Sequence, residues 1–146
     1  MSSKNITIKK TNWAADKEDL STIRRLVFIE EQHVPQVLEW DELDESSYHF
    51  LVAQNTKAIA CARLQTDGKI GRMAVLKQFR NQGIGSQLLN FIVQTAEIDS
   101  IDKLYLYAQV SAIPFDESQG FYAVGDIFYE AEIAHRKMLK TDRANN

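Results

Sequence analysis

The stretch that decides the fold is Ile70-Gly71-Arg72-Met73-Ala74-Val75-Leu76-Lys77-Gln78-Phe79-Arg80-Asn81-Gln82-Gly83-Ile84-Gly85-Ser86. It has the pattern of a strand, then a turn with two glycines, then the start of a helix. Glycines let a ligand approach the backbone closely, and N–H groups at a helix N-terminus attract an anion. Arg80 adds a positive charge with a planar fork of donors. These features predict a diphosphate cradle; the alternative is a tight turn whose glycines serve geometry alone.

The segments around this stretch predict a mixed sheet. Residues 48–53, 58–64 and 69–75 are strand candidates whose connections are too short for parallel crossovers, so we expect an antiparallel meander. The helix that begins after Gly83 has an apolar face and leads to an apolar strand at residues 104–109. This order predicts a parallel pairing of residues 69–75 with residues 104–109 through a right-handed crossover.

The remaining segments complete an α/β (α+β) chain. Residues 6–8 predict a first strand, residues 16–32 a helix that Pro35 ends, and residues 36–47 an acidic loop or short helix. A short helix at 114–118 and two closing strands at 121–131 and 136–139 follow. The order β-α-βββ-α-β-α-ββ predicts a mostly antiparallel central sheet with helices on its faces.

Composition limits the possible functions of this chain. Its 146 residues suit one domain, 1–146, in which 141–146 form a frayed polar tail. With 20 acidic against 17 basic residues, the net charge of −3 does not favour nucleic acid or an anionic membrane as a partner. We expect no membrane span, no secretory signal and a cytoplasmic location. The single Cys61 and three scattered histidines predict no metal site.

Two sequence blocks carry a resemblance to a known family. Residues 80–85, Arg-Asn-Gln-Gly-Ile-Gly, resemble the Arg/Gln-x-x-Gly-x-Gly/Ala signature of the GNAT superfamily of acetyltransferases, and the order of elements resembles that fold over nearly the whole chain. Residues 25–35 are similar to the Arg-x-x-Val-Phe-x-x-Glu-Gln-x-Val-Pro block of a subgroup of small bacterial GNAT proteins. In that subgroup, as here, the block precedes residues like Asp41, Asp44 and His49. The closing His135-Arg136-Lys137-Met138 is similar as well.

The resemblance implies acetyl-CoA as the acyl donor. It places the pantetheine arm between two splayed strands, around Met73 to Val75 and residues 106–109, and the diphosphate on the N–H groups from Gln82 to Ser86. The acceptor is an unidentified amine, no metal takes part, and a homodimer is possible by analogy. The residues implied in cofactor binding are Met73, Ala74, Val75, Arg80, Asn81, Gln82, Gly83, Ile84, Gly85, Ser86, Gln109 and Phe115.

Acetyl transfer to an amine requires a base for the ammonium proton. The candidates are Glu31, Glu30, Asp44 and His49, and the resemblance places Glu31 beside the acceptor cleft. The alternatives are that Glu31 orders the loop at a helix end and that His49 bonds inside the sheet. His33 and His135 are assigned structural or surface roles.

The proton donor for the leaving thiolate is where the chain departs from its relatives. Many members have Phe-Tyr-x-x-x-Gly-Phe, in which the tyrosine donates the proton. Here residues 115–121 are Phe-Asp-Glu-Ser-Gln-Gly-Phe, so Asp116 replaces that tyrosine. An ordinary Asp is ionised at neutral pH and is a poor acid unless its pKa is raised. Tyr122 or water is therefore expected to serve instead of Asp116.

The expected function is transfer of acetyl from acetyl-CoA to a primary amine of a small molecule or peptide by direct attack. Acidic residues crowd positions 39–45, which suggests a cationic acceptor or else a solvated loop. A non-catalytic acyl-CoA binding or sensing module on the same fold is the first alternative. An interaction domain without CoA is the second.

Overall fold

The computed structural model describes residues 5–140, and the tail expected to fray lies outside them. Within this range seven strands form one sheet in the order β1-β2-β3-β4-β5-β7-β6, and the β4–β5 pair is parallel. The predicted mixed, mostly antiparallel sheet is thus confirmed. The strands are β1 (Ile6–Thr11), β2 (Tyr48–Gln54), β3 (Lys57–Leu64), β4 (Lys69–Val75), β5 (Tyr105–Gln109), β6 (Phe121–Glu130) and β7 (Ile133–Lys140).

Helices cover both faces of the sheet, as expected. Asn12 is the N-cap of the first helix. Its side-chain oxygen accepts a hydrogen bond from the Ala15 N–H at 2.8 Å, which satisfies one N–H group of the first turn. This cap places the start before the predicted residue 16. The α-helices are α1 (Trp13–Arg24), α2 (Gln36–Glu39), α3 (Ile84–Ile98) and α4 (Ile113–Ser118).

Two apolar clusters hold these layers together. On one face of the sheet, the apolar stripe of α3, which includes Leu88 and Ile92, packs against Phe50, Leu64 and other side chains of β2 to β5. On the other face, residues from α1 and the helical turns after it pack against β2 to β4. This second cluster consists of Leu20, Ile23, Val27, Leu51, Cys61, Ala74 and Leu76.

The helix predicted over residues 16–32 changes its winding partway. It is α-helical to Arg24 and then π-helical over Arg25–Glu31. The Gln32 N–H donates to the Val27 carbonyl oxygen at 3.0 Å, a bond five residues back instead of four. A π-turn carries an extra residue, so the residues at the end of the segment lie at a different angle from those of an α-helix.

The parallel pair of strands splays apart. Lys69 pairs with Tyr105 and Ile70 with Leu106, and the ladder within residues 5–140 goes no further. On the other side of β4, Cys61 opposes Ala74 whereas Arg63 opposes Gly71, so β4 carries one extra residue. Arg72 lies in this bulge with φ of +49°. Because a bulge bends its strand, β4 diverges from β5 and the predicted splay is confirmed.

Candidate active site

The splay leaves a gap between the carboxyl-terminal halves of two neighbouring strands. Residues 71–75 of β4 and 107–109 of β5 have no ladder bonds to each other in the described part of the chain. Backbone N–H and C=O groups need partners when they are buried. An extended ligand can supply such partners by lying between two strands as an added strand does. The gap is therefore suited to an elongated molecule that carries amide groups.

The first turn of α3 lies beyond the end of β4 and is open to an anion. Asn81 and Gly83 both have left-handed backbone, with φ of +63° and +82°, and no side chain caps the helix. The N–H groups that begin the 15-residue helix therefore have no side-chain acceptor at the cap. Such groups and the helix dipole together favour a phosphate.

Three separate elements converge at this first turn. A Cβ atom built on Gly85 would lie 3.6 Å from Met73 Cε and 3.6 Å from Phe115 Cζ. The Ser86 hydroxyl donates to Gln119 Oε1 at 3.2 Å, which joins α3 to the end of α4. The structure thus brings together Met73, Gly85, Ser86 and Phe115, which were expected to share one site. Sequence reasoning missed Gln119, since nothing in the motif marks it.

The remaining residues implied in cofactor binding differ in what they offer. The side chains of Ala74 and Ile84 are buried in the two apolar clusters, so their backbone groups alone face a ligand. Val75 accepts a hydrogen bond at its carbonyl oxygen from Arg80 Nε at 2.8 Å. Gln82 Nε2 donates to the Gln78 carbonyl oxygen at 3.4 Å.

Arg80 forms a two-pronged ion pair with Glu31. Its Nη1 and Nη2 atoms each lie 2.7 Å from a carboxylate oxygen of Glu31. Hydrogen bonding from Arg80 lowers the pKa of Glu31, and the same contact raises the pKa of Arg80. A carboxylate held in this way is a weaker base than an ordinary one. The geometry therefore favours the ordering role for Glu31 over the role of general base.

Gln109 lies at the opposite edge of the gap and contacts the same end of the π-helical segment. Its Nε2 donates to Gln32 Oε1 at 2.9 Å. Sequence reasoning assigned no role to Gln32, because its direction depends on the π-helical winding, which residue periodicity does not reveal.

The acidic stretch is neutralised by arginines from inside the protein. Arg24, which is 1% exposed, contacts Glu39 at 2.9 Å and Asp44 at 2.8 Å. Arg63 contacts Asp41 and Asp44, and Arg72 contacts Glu39 and Asp41. Burial raises the pKa of Glu39 against the opposing pull of Arg72 and Arg24. The inner carboxylates are thus parts of a charge network, and a site for a cationic acceptor at this stretch stays a prediction.

A cavity of about 510 Å³ lies beside this charge network. Trp13 and Trp40 line it together with acidic residues of the segment 41–45, of which Asp44 is buried. Both rings also lie near the Arg24 guanidinium, at 5.3 and 5.0 Å from its central carbon. The two tryptophans therefore stabilise an internal cation already.

His49 does not occupy the predicted catalytic position. It is 1% exposed, its ring is 5.3 Å from that of Trp13, and its Nε2 lies 2.8 Å from the Asp44 carbonyl oxygen. A carbonyl accepts only from an N–H, so Nε2 carries the proton. Burial lowers the pKa of His49 and keeps it neutral. Asp44, the other candidate, is held by Arg24 and Arg63, so the structure assigns both residues to the interior.

Tyr122 also lies away from the gap. It pairs with Leu139 of β7, which pairs with Tyr105, at the end where β4 and β5 are still joined. Because β7 separates β6 from β5, the backbone of Tyr122 is roughly 10 Å from that of β5. This register separates the backbone of Tyr122 from the gap, and its role as a proton donor stays a prediction.

Asp116 has a raised affinity for its proton. It is 7% exposed in α4, beside Phe115, and burial raises its pKa to about 6. An aspartate needs a raised pKa to donate a proton near neutral pH, and sequence alone left open whether Asp116 has one. This condition is thus partly met. At pH 7 about one Asp116 in ten is protonated.

Two further findings concern residues 5–140 as a whole. In this range no helix has the length and apolar character needed to cross a membrane. No group of three or more His, Cys, Asp or Glu side chains in the same range is arranged to hold a metal ion.

Known proteins are similar to this chain both in sequence and in structure. The profile described as the acetyltransferase (GNAT) domain matches residues 14–141. The uncharacterized N-acetyltransferase YjcF of Bacillus subtilis is 32% identical over 127 residues, which are 84% of this chain and 91% of that protein. An acyl-CoA N-acyltransferase from Pseudomonas aeruginosa superposes with a TM-score of 0.84 at 28% identity, covering 93% of this chain and 99% of that one. The crystal structure of Escherichia coli ElaA superposes with a TM-score of 0.84 at 26% identity, covering 92% of this chain and 99% of that one.

The profile spans most of the chain, and the two solved structures superpose over nearly their full length. The protein therefore belongs to the GNAT family of N-acetyltransferases.

Proposed function

We propose that the protein transfers an acetyl group from acetyl-CoA to a primary amine of a small molecule or peptide by direct attack. The observation that carries this proposal is the convergence of Met73, Gly85 and Phe115 beside the gap between β4 and β5. The Pseudomonas neighbour is named an acyl-CoA N-acyltransferase, which supports a CoA thioester as donor. The Glu-Gln pair of residues 31–32 supports membership of the subgroup with the Val-Phe-x-x-Glu-Gln-x-Val-Pro block.

In this proposal the CoA molecule runs from the start of α3 into the gap. Its diphosphate accepts hydrogen bonds from N–H groups of residues 82–86, with Arg80 adding positive charge. The pantetheine amides bond those backbone groups of residues 73–75 that face the gap and are not paired with β3 or Arg80. The thioester then lies near the bulge at Arg72, where an extra residue turns backbone groups out of the ladder.

The reaction needs few side chains of its own. The neutral amine nitrogen attacks the thioester carbon, and an N–H near Met73 stabilises the negative oxygen, a contribution of about 3–4 kcal/mol in comparable sites. The C–S bond then breaks, giving an amide and a thiolate. We assign removal of the amine proton to water, because Glu31 and Asp44 are paired and His49 is enclosed. Solvent protonates the thiolate.

A sensing module that binds acyl-CoA without turnover is the second candidate. Two observations favour it: Asp116 replaces the usual tyrosine, and Glu31, Asp44 and His49 are each engaged inside the protein. Both candidates predict CoA binding. They differ in whether a product forms.

Turnover over an amine panel separates the two candidates. Acetyl-CoA is incubated with the protein and a polyamine, a lysine peptide or an amino sugar, and release of the CoA thiol is followed. We expect release above the rate without amine for at least one class, together with acetylated product by mass spectrometry. Binding of CoA by calorimetry without any product would support the sensor instead. By family analogy we also propose a homodimer, which sedimentation would test. The cytoplasmic location expected from the sequence is proposed as well.

A further inference from the structure

The end of the π-helical segment crosses the mouth of the gap. Glu31 holds Arg80, and Arg80 in turn donates from Nε to the carbonyl oxygen of Val75, the last residue of β4. The next residue, Gln32, accepts from Gln109, the last residue of β5. Two consecutive residues therefore connect to the two strand ends that diverge. We call Glu31, Gln32, Arg80 and Gln109 the clasp.

We propose that the clasp positions CoA by fixing the distance between the ends of β4 and β5, and that Glu31 and Gln32 are positioning residues. This inference rests on the proposed function, since it assumes that CoA enters the gap. It assigns to Gln32 a role that the sequence did not suggest. It also moves Glu31 from the chemistry of the amine to the binding of the donor.

The hydrogen-bond inventory of Arg80 supports this role. An arginine has five N–H donors; one of them reaches Val75 and two reach Glu31. Two donors therefore remain for an anion, while the other three hold the guanidinium plane in one orientation. A cation oriented before binding loses less freedom when the diphosphate arrives, so pre-orientation increases affinity.

The π-helical winding explains how two neighbouring residues reach both strands. Successive residues of an α-helix point about 100° apart around the axis. The hydrogen bonds from Gln32 to Val27 and from Val34 to Phe28 widen the final turns. This widening lies at the part of the helix that contacts the gap. In other proteins, π-bulges often occur at functional sites.

The experiment compares Glu31→Gln and Gln32→Ala with Glu18→Gln as a matched control. Glu18 is an exposed carboxylate of α1 and has no ion pair within residues 5–140. Calorimetry gives the Kd for CoA, and steady-state kinetics with acetyl-CoA and an accepted amine give KM, kcat and their pH profiles. Thermal melting confirms that each variant is folded.

We expect each clasp variant to raise Kd for CoA and KM for acetyl-CoA by about five- to tenfold, about the effect of one lost hydrogen bond of ordinary strength. The value of kcat should stay within about twofold, and the shape of its pH profile should not change, because no proton-transfer group is removed. Glu18→Gln should match the wild type. Gln32→Ala combined with Gln109→Ala should lose no more than Gln109→Ala alone, since both changes break the same contact.

A different pattern would overturn the inference. If Glu31→Gln lowers kcat by about 10²-fold or more, flattens the pH profile and leaves the Kd for CoA unchanged, Glu31 is the general base. Wild-type affinity in both clasp variants would equally contradict the positioning role. Failure of the wild type itself to bind CoA would instead refute the proposed function on which the clasp rests.

Discussion

Gly83 and Gly85 stand two residues apart at the start of α3 but meet different requirements. Gly83 has φ of +82° and no atom within 4 Å of a built Cβ, so it is needed for its backbone conformation. The φ of Gly85 lies outside the positive range, and a Cβ there would touch Met73 and Phe115 at ordinary contact distance. The fold therefore tolerates a side chain at Gly85. What such a side chain would obstruct is the approach of a ligand.

The first prediction concerns Gly85→Val. Valine is tolerated inside a helix at least as well as glycine, and a Cβ at 3.6 Å from Met73 and Phe115 causes no clash, so the variant should fold. We expect its affinity for CoA, measured by calorimetry, to fall at least about tenfold, because the branched side chain takes space that the diphosphate or pantetheine needs. Gly85→Ala should lose less, since the signature permits alanine at this position.

Gly83→Ala serves as the comparison for this prediction. It places a Cβ on left-handed backbone, which costs about 1–2 kcal/mol, so this variant should melt earlier than Gly85→Ala. Wild-type affinity for CoA in a folded Gly85→Val would argue against placement of the cofactor at this turn.

The second prediction concerns Asp116→Asn and stability. The carboxyl has a pKa near 3.8 when exposed and about 6 when folded. The folded state thus binds the proton more tightly, so the free energy of unfolding of the wild type falls as pH rises from about 4 to 6. Above pH 6 the buried charge costs about 2–3 kcal/mol. We expect Asp116→Asn to be more stable by about that amount at pH 7.5 in urea unfolding, and the gain to vanish near pH 4.

Turnover of the same variant tests whether Asp116 donates a proton. We expect most of the activity to remain, since about nine in ten Asp116 carboxyls are ionised at pH 7. A loss of about 10²-fold or more, with CoA affinity preserved, would show that the carboxyl protonates the thiolate.

At the scale of elements, the order of strands and helices was predictable, whereas the winding of the helix over residues 25–31 was not. The β4–α3–β5 unit follows from local patterns: an apolar strand, a glycine turn, a long apolar stripe and a second strand. The π-helical turns depend on contacts between Glu31 or Gln32 and residues more than 45 positions away. Periodicity within one segment contains no information about such contacts.

The same limit applies to the polar residues that were considered for the site. The stretch from Glu39 to Asp44 was considered a possible site for a cationic acceptor, but its partners Arg24, Arg63 and Arg72 come from α1, β3 and β4. His49 and Tyr122 were chosen for their chemistry, and the sheet register then placed the first inside the protein and the second beyond β7. Residue types suggested possible chemistry, and long-range pairing decided which residues meet.

The third prediction tests the charge network as the connection between α1 and the segment that carries α2. Arg24→Met removes the cation between Glu39 and Asp44 and leaves two buried carboxylates short of a partner. Breaking a buried pair in this way costs about 3–5 kcal/mol, which urea unfolding would detect.

Lys10→Met is the matched comparison, since it removes the Lys10–Asp99 pair at the surface. Exposed pairs contribute about 1 kcal/mol or less. Equal losses in the two variants would contradict the structural role of the network.

At the scale of the whole molecule, the functional elements converge on one opening in the sheet. The bulge at Arg72 bends β4 away from β5, α3 presents its first turn beside the opening, and α4 adds Phe115. The clasp crosses the same opening from the helical layer on the other side. The splay and the glycine turn were predictable from the resemblance of two blocks to the family. The clasp emerges only from the folded chain.

The central claim is that CoA lies in the gap between β4 and β5 with its diphosphate on α3. A crystal structure of the protein with CoA at saturating concentration tests it most directly. We expect the diphosphate within hydrogen-bonding distance of the N–H groups of residues 82–86, and the pantetheine between residues 73–75 and Gln109. An empty gap, or CoA bound elsewhere on the protein, would contradict the account.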